Sequence, residues 1–165
     1  MNINLNSIKF GLALVLLGLI FGIGLGVTFG MNEDLFQTYI EQGIAAHPEV
    51  HDAKSPGKIW RYAQRAHFHA TGIAAFSIGL LLIVSASSLK EKYKQVAGVL
   101  IGLGSFYPLA WITIFLLAPS IGRDAAHVHP LTELFVSIGV GGLLLGLTML
   151  LASLFLGLFN ESGVA

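Results

Sequence analysis

The 165-residue sequence contains no cysteine. That removes disulfides, thiolate metal sites, iron–sulfur clusters and cysteine nucleophiles, and it leaves histidine as the main stock of metal ligands. Charge is also scarce. Charged residues make up 11% of the chain, against roughly 25% in soluble domains. Nine basic and nine acidic residues cancel, so no broad basic surface invites nucleic acid. Several catalytic signatures are missing as well. There is no phosphate-binding Gly-Lys-Ser/Thr loop, no H-E-x-x-H and no G-x-S-x-G. The Gly-x-Gly strings lie inside apolar runs with no strand before them, which makes them packing glycines rather than nucleotide loops.

What is present is apolar length. Hydrophobic residues make up 55% of the chain, too much for a water-soluble globule of this size and too much for a disordered chain. Residues 10–30, 70–89, 96–119 and 134–159 are four runs with the roughly 20 residues that a spanning helix needs. The expected fold is all-α: an integral membrane four-helix bundle made of two parallel-repeat helical hairpins, forming a single transmembrane domain over residues 1–165. The first run is too long for a signal-peptide core and no A-x-A site follows it, so it reads as a retained helix. Pro108 inside the third run predicts a kink near Tyr107-Pro108. The 20 glycines, many within the runs, would let helices approach closely.

Four spans put both termini on one side of the bilayer. The compact basic loop Lys90-Glu91-Lys92-Tyr93-Lys94, with Lys9, assigns that side to the cytoplasm of a bacterial-type inner membrane. Lys54, Lys58, Arg61, Arg65 and Arg123 count against this assignment from the other side. All six histidines (His47, His51, His67, His69, His127 and His129) fall opposite the basic loop, on the expected outer side.

The chain carries an internal repeat. At an offset of 60 residues, His67-Phe68-His69 falls on His127-Val128-His129, and Ser77-Ile78-Gly79 falls on Ser137-Ile138-Gly139. In a two-fold bundle the second and fourth spans would lie diagonally, with equivalent side chains facing each other across the axis. Within one H-x-H on a regular helix the two side chains point about 200° apart. One histidine from each copy would then face the axis, unless Pro130 releases His127 and His129 from the helix.

Imidazole suits iron, copper and zinc. His67, His69, His127 and His129 offer four nitrogens, and Glu133, four residues after His129, a fifth ligand. That is the bare-metal reading. Haem b is the other. It would take one histidine from each of two helices and pass between the small residues Ala70, Gly72, Ala74, Ala75, Gly139, Gly141 and Gly142. Arg65 and Arg123 would receive its carboxylates.

Ala66-His67-Phe68-His69, opening an apolar helix, resembles the haem-ligating A-H-F-H stretch of haem–copper oxidase large subunits. The resemblance covers fewer than 20 residues of a four-span chain. It implies only that His67 or His69 binds haem.

The loop over residues 31–66 is long for a bundle. Helical spacing of Leu35, Tyr39 and Ile40 predicts a short interfacial helix over residues 33–46. His47-Pro48-Glu49 and Ser55-Pro56-Gly57 read as turns, and a helix start is expected near Ala66. Trp60, Arg61, Tyr62 and Arg65 read as an interfacial anchor, or as a cap that holds a quinone head group.

Together these features predict a membrane protein that binds haem b or a transition metal near the outer surface and transfers electrons, with a quinol or a redox protein as partner. A metal-dependent membrane enzyme or metal carrier is the first alternative. The second is a non-catalytic subunit of an oligomer or a larger membrane complex.

Overall fold

A computed structural model describes residues 4–161. Its long elements are α1 (Lys9–Met31), α2 (Glu33–Ala46), α3 (Ser55–Ala86), α4 (Glu91–Gly102), α5 (Tyr107–Ile121), α6 (Arg123–His127) and α7 (Pro130–Leu156). Short 3-10 turns occupy Leu5–Ser7, Pro48–Val50 and Leu103–Phe106. Among the described residues there is no strand, and one isolated antiparallel bridge joins Leu89 to Asn160.

Four helices are long and apolar enough to cross a membrane: Lys9–Met31, Ser55–Ala86, Glu91–Ile121 and Pro130–Leu156. The outward faces of the first and last are apolar and bare, with Leu17, Ile20, Leu144 and Leu145 all more than half exposed. Such faces are stable only in contact with lipid or another apolar partner. The chain is an all-α integral membrane protein.

The third span is the hub. It packs against the first, the second and the fourth, whereas the fourth packs mainly on the third. Glycines set these crossings. Gly139, Gly142 and Gly146 line one stripe of α7. A Cβ on Gly139 would stand 2.5 Å from the Tyr107 nitrogen, and one on Gly146 would stand 2.8 Å from Ile101. The first and second spans meet at Gly22, where a Cβ would stand 2.8 Å from Ala70. Two buried clusters close the bundle ends. The end near the Lys90–Lys94 segment is built on Ile8, Val15, Leu81, Leu89 and Ile101. The other is built on Ile40, Ile59, Ala63, Phe115 and Ala118.

The third span is interrupted by the 3-10 turn Leu103–Phe106 directly before Pro108. This is where a proline that lacks an N–H weakens the regular ladder. α7 begins at Pro130, and His129 before it is extended at φ −65° and ψ 136°, the geometry that a following proline favours. A short helix lies at Glu33–Ala46, where the spacing of Leu35, Tyr39 and Ile40 predicted one.

The second span differs from its sequence reading. It does not start near Ala66. Ser55-Pro56-Gly57 is its first helical turn, with proline in a position where the missing N–H costs nothing. Asp52 closes the turn that leads into this start, accepting from Lys54 N at 3.0 Å and Ser55 Oγ at 2.9 Å. Ile59, Tyr62, Ala63, Ala66 and Ala70 form its buried stripe. At 1.5 Å per residue, 32 residues extend about 48 Å, whereas the hydrocarbon core takes about 30 Å. The helix is therefore longer than the apolar layer is thick, and its polar first turns, which carry Lys58, Arg61 and Arg65, are the part that the layer need not hold.

Candidate functional site

The histidines gather at one end of the bundle, and each has its own neighbours. His67 and His69 lie two residues apart in α3 and point in opposite directions. His67 faces α1: its Nδ1 is 2.7 Å from the Gly22 carbonyl oxygen, and its ring lies 6.0 Å from Phe29. His69 faces the third span. Its Nδ1 is 2.8 Å from the Arg65 carbonyl oxygen. Its ring stacks on Trp111 at 5.7 Å and meets Tyr107 edge-on at 5.1 Å.

A carbonyl oxygen only accepts, so in both neutral imidazoles Nδ1 carries the proton and Nε2 keeps its lone pair. A metal-ligating imidazole commonly has this arrangement, its far nitrogen donating to a carbonyl.

His127 ends α6 and meets Tyr62 at 5.1 Å and Trp111 at 5.9 Å, both edge-on. Burial by these rings lowers its pKa below the usual imidazole range. Asp124 opposes the shift, and Arg65 and Arg123 reinforce it. His129 has the opposite tautomer to His67 and His69. Its Nδ1 accepts from Leu131 N at 3.3 Å, capping α7. His51 bonds through Nε2 to the Pro119 carbonyl at 3.0 Å, and half-exposed His47 stands 3.9 Å from Glu49.

Trp111 is therefore the centre that the sequence did not reveal. His69, His127, Tyr62 and Tyr107 all pack on its indole. The Arg65 guanidinium lies 4.8 Å above it, and its buried Nε1 has no hydrogen-bond partner. The Tyr107/Trp111 spacing of one helical turn, at the depth of the histidines, was the only hint in the sequence.

The remaining expected site residues are dispersed. Arg123 donates to Asp52 Oδ2 at 2.9 Å. Glu133 stands exposed in the first turn of α7. Among the described residues, no three His, Asp or Glu side chains come together as a group that could hold a metal ion. Gly139 and Gly142 are filled by the third span and Ala70 by the first, whereas Gly72 and Gly141 have open space beside them.

The 60-residue offset does not carry over into equivalent contacts. The histidines that share Trp111 are His69 and His127, not the pairs that the offset superposes. Gly79 has open space where Gly139 is tightly packed. Pro130 is the cause: it starts α7 after the second H-x-H, whereas the first lies well inside α3.

No protein-family model, curated protein or solved structure matches the chain.

Proposed function

We propose that this chain is a membrane electron-transfer protein that holds haem b at the Trp111 cluster, with the His69 imidazole as axial ligand. The observation that carries this reading is the His69 contact: Nδ1 lies 2.8 Å from the Arg65 carbonyl oxygen, which only accepts, and this leaves Nε2 as the nitrogen free for a ligand bond. Two neighbours suit the carboxylates of a haem. The Trp111 N–H is buried without an acceptor, and Arg65 is the cation beside it. Arg123 is less available, because Asp52 already holds it.

Haem is favoured over a bare ion because it needs only one protein nitrogen. A bare iron, copper or zinc ion needs several ligands, and no such group is assembled among the described residues. His127 would serve as a second axial ligand only if the Trp111 indole turned aside, since both imidazoles pack on it. Bound haem would supply a one-electron couple. The protein would supply orientation, a carboxylate anchor and a largely apolar surround. By the Lys9 and Lys90–Lys94 charges, the cluster would lie at the outer face of the membrane.

The test is the absorption spectrum of the protein purified in detergent, with elemental analysis alongside. Haem absorption in the wild type that is lost in His69→Ala and kept in His129→Ala supports the reading. Metal without haem transfers it to a bare-ion site. Neither haem nor metal leaves the non-catalytic subunit reading, which the lipid-exposed apolar faces of α1 and α7 also suit.

A further inference from the structure

A second site lies on the other face of α3. Between the outer ends of α1 and α3, where α2 begins, a cavity of about 340 Å³ is lined by Gly26, Phe29, Glu33, Trp60, Gln64 and His67. Phe68 also borders it and is 64% exposed, as Val27 on the neighbouring α1 is 53% exposed. The mouth therefore opens beside lipid-facing surface.

His67 is held for this place. Its Nδ1 is fixed by the Gly22 carbonyl, and its ring rests on Gly26, where a Cβ would stand 2.6 Å from Cε1. Any side chain at position 26 would displace the imidazole. Nε2 keeps a lone pair, and among the described residues it has no hydrogen-bond partner. Glu33 supplies a second acceptor. One of its oxygens takes a bond from Gln37 Nε2 at 3.1 Å, and the other has no partner among the described residues. The walls are aromatic: Phe29 packs edge-on against Trp60 at 5.1 Å.

A lipid-accessible aromatic slot with two hydrogen-bond acceptors selects a flat, apolar ligand with two donors. We infer that this cavity binds the head group of a quinol, a 1,4-dihydroxy aromatic ring on a lipophilic tail. One hydroxyl would donate to His67 Nε2 and the other to Glu33. A phospholipid head group fits less well, because its phosphate brings acceptors to a site that already presents acceptors. The inference deepens the electron-transfer reading by naming a lipid-soluble donor, but the binding test needs no cofactor. Haem without quinol binding removes this site alone, and quinol binding without haem removes only the Trp111 reading.

Trp60 is one of two tryptophans, so a Trp111→Phe background isolates its fluorescence. The protein in nanodiscs is titrated under anaerobic conditions with the quinol 2,3-dimethoxy-5-methyl-6-decyl-1,4-benzenediol, and quenching of the indole emission is followed. Its 1,4-dimethyl ether, with no hydroxyl hydrogens, is titrated in parallel.

Saturable quenching is expected, half-complete at about thirtyfold lower concentration of the quinol than of the ether, as two lost hydrogen bonds of this kind imply. His67→Phe keeps a ring but removes the acceptor. It should narrow the preference for the quinol over the ether to the share that the Glu33 bond alone supplies. Gly26→Leu should abolish saturation by displacing the ring and filling the slot. Quenching that rises linearly and equally in the wild type and Gly26→Leu would show partition into lipid only and overturn the site. Equal half-saturation by quinol and ether in the wild type would overturn the two-acceptor assignment. If Gly26→Leu does not fold, His67→Phe decides the question alone.

Discussion

Gly11 of the first span lies backbone to backbone against Gly98 of the third, and a Cβ on Gly11 would collide with the Gly98 carbonyl. The relation is not symmetric. A Cβ on Gly98 would meet Ile8 and Leu81 at 3.5–3.6 Å, ordinary contact. In lipid, apolar side chains gain little by leaving their surroundings, so close backbone approach of this kind holds spans together. Gly11→Val should therefore destabilise the bundle by about 1–3 kcal/mol, the usual cost of overpacking. Gly98→Ala should be nearly neutral. Thermal unfolding in one detergent, with Gly24→Val as the control at an open position, measures both. Equal losses for Gly11→Val and Gly24→Val would show that this crossing does not hold the spans.

The four H-x-H histidines should separate by the work that each does. His69→Ala should remove the cofactor, and His127→Ala should shift its spectrum or leave it unchanged. His129→Ala should keep the cofactor but cost about 1 kcal/mol of stability, because it removes the N-cap of α7. A spectrum taken with a melting curve for each variant reads both effects. Cofactor loss in His129→Ala with His69→Ala unaffected would reverse the assignment.

Much of this architecture is legible in the sequence, because apolar length and cap chemistry are local. The four spans follow from unbroken hydrophobic runs. The start of α7 follows from Pro130, and α2 from the spacing of Leu35, Tyr39 and Ile40. The early start of α3 was hidden by its composition. Residues 55–66 carry Lys58, Arg61, Gln64 and Arg65, so hydropathy marks them as loop, while Ile59, Tyr62, Ala63 and Ala66 keep a helical period. The site was only half legible. Histidine spacing pointed to the end of the bundle opposite the Lys90–Lys94 segment, and the opposite facing of His67 and His69 follows from helix geometry. The pairing of His69 with His127 depends on Trp111, which reaches them through a contact between spans that sequence pattern does not encode.

Acid should destabilise the outer end of the bundle through His127. Partial burial against Tyr62 and Trp111, with Arg65 and Arg123 adding to it against Asp124, lowers its folded pKa, and because the residue stays partly exposed to solvent the effect is small. The unfolded chain therefore binds a proton more readily. The resulting stability is fully present above the unfolded value of about 6.5 and is lost as pH falls from there towards the lower folded value. Melting temperatures from pH 8 to pH 5 should fall more steeply for the wild type than for His127→Gln. Parallel curves would remove His127 as the cause.

Asp52 has two tasks, and substitutions can separate them. It forms a turn cap ahead of α3 through Ser55 and Lys54, and it pairs with Arg123 at the start of α6. The Ser55 hydroxyl, together with Lys54 N–H and Arg123, holds its carboxyl below the ordinary aspartate range. Asp52→Asn keeps an acceptor for the cap and loses the charge. Asp52→Ala loses both. The exposed ion pair should matter little, so Asp52→Asn and Arg123→Met should lower the melting temperature slightly and alike, and Asp52→Ala clearly more. A loss in Asp52→Asn as large as in Asp52→Ala would make the ion pair, rather than the cap, the main anchor of this end.

Orientation rests on which basic residues face the cytoplasm. Lys9, Lys90, Lys92 and Lys94 flank the spans directly at one end. At the other, Lys54 precedes α3, Lys58, Arg61 and Arg65 lie along its polar first turns, and Arg123 is paired with Asp52. Charges adjoining the spans weigh most in fixing topology, and acidic neighbours count for little. The compact Lys90–Lys94 segment should therefore be cytoplasmic, with the histidines outside. The cysteine-free sequence makes this directly measurable. Ser120→Cys, exposed near the outer end of α5, should react with a membrane-impermeant maleimide on intact cells. Ser88→Cys, between the second and third spans, should react only after the membrane is opened. Labelling of Ser88→Cys but not Ser120→Cys on intact cells would invert the protein, placing both the Trp111 cluster and the His67 cavity at the cytoplasmic face.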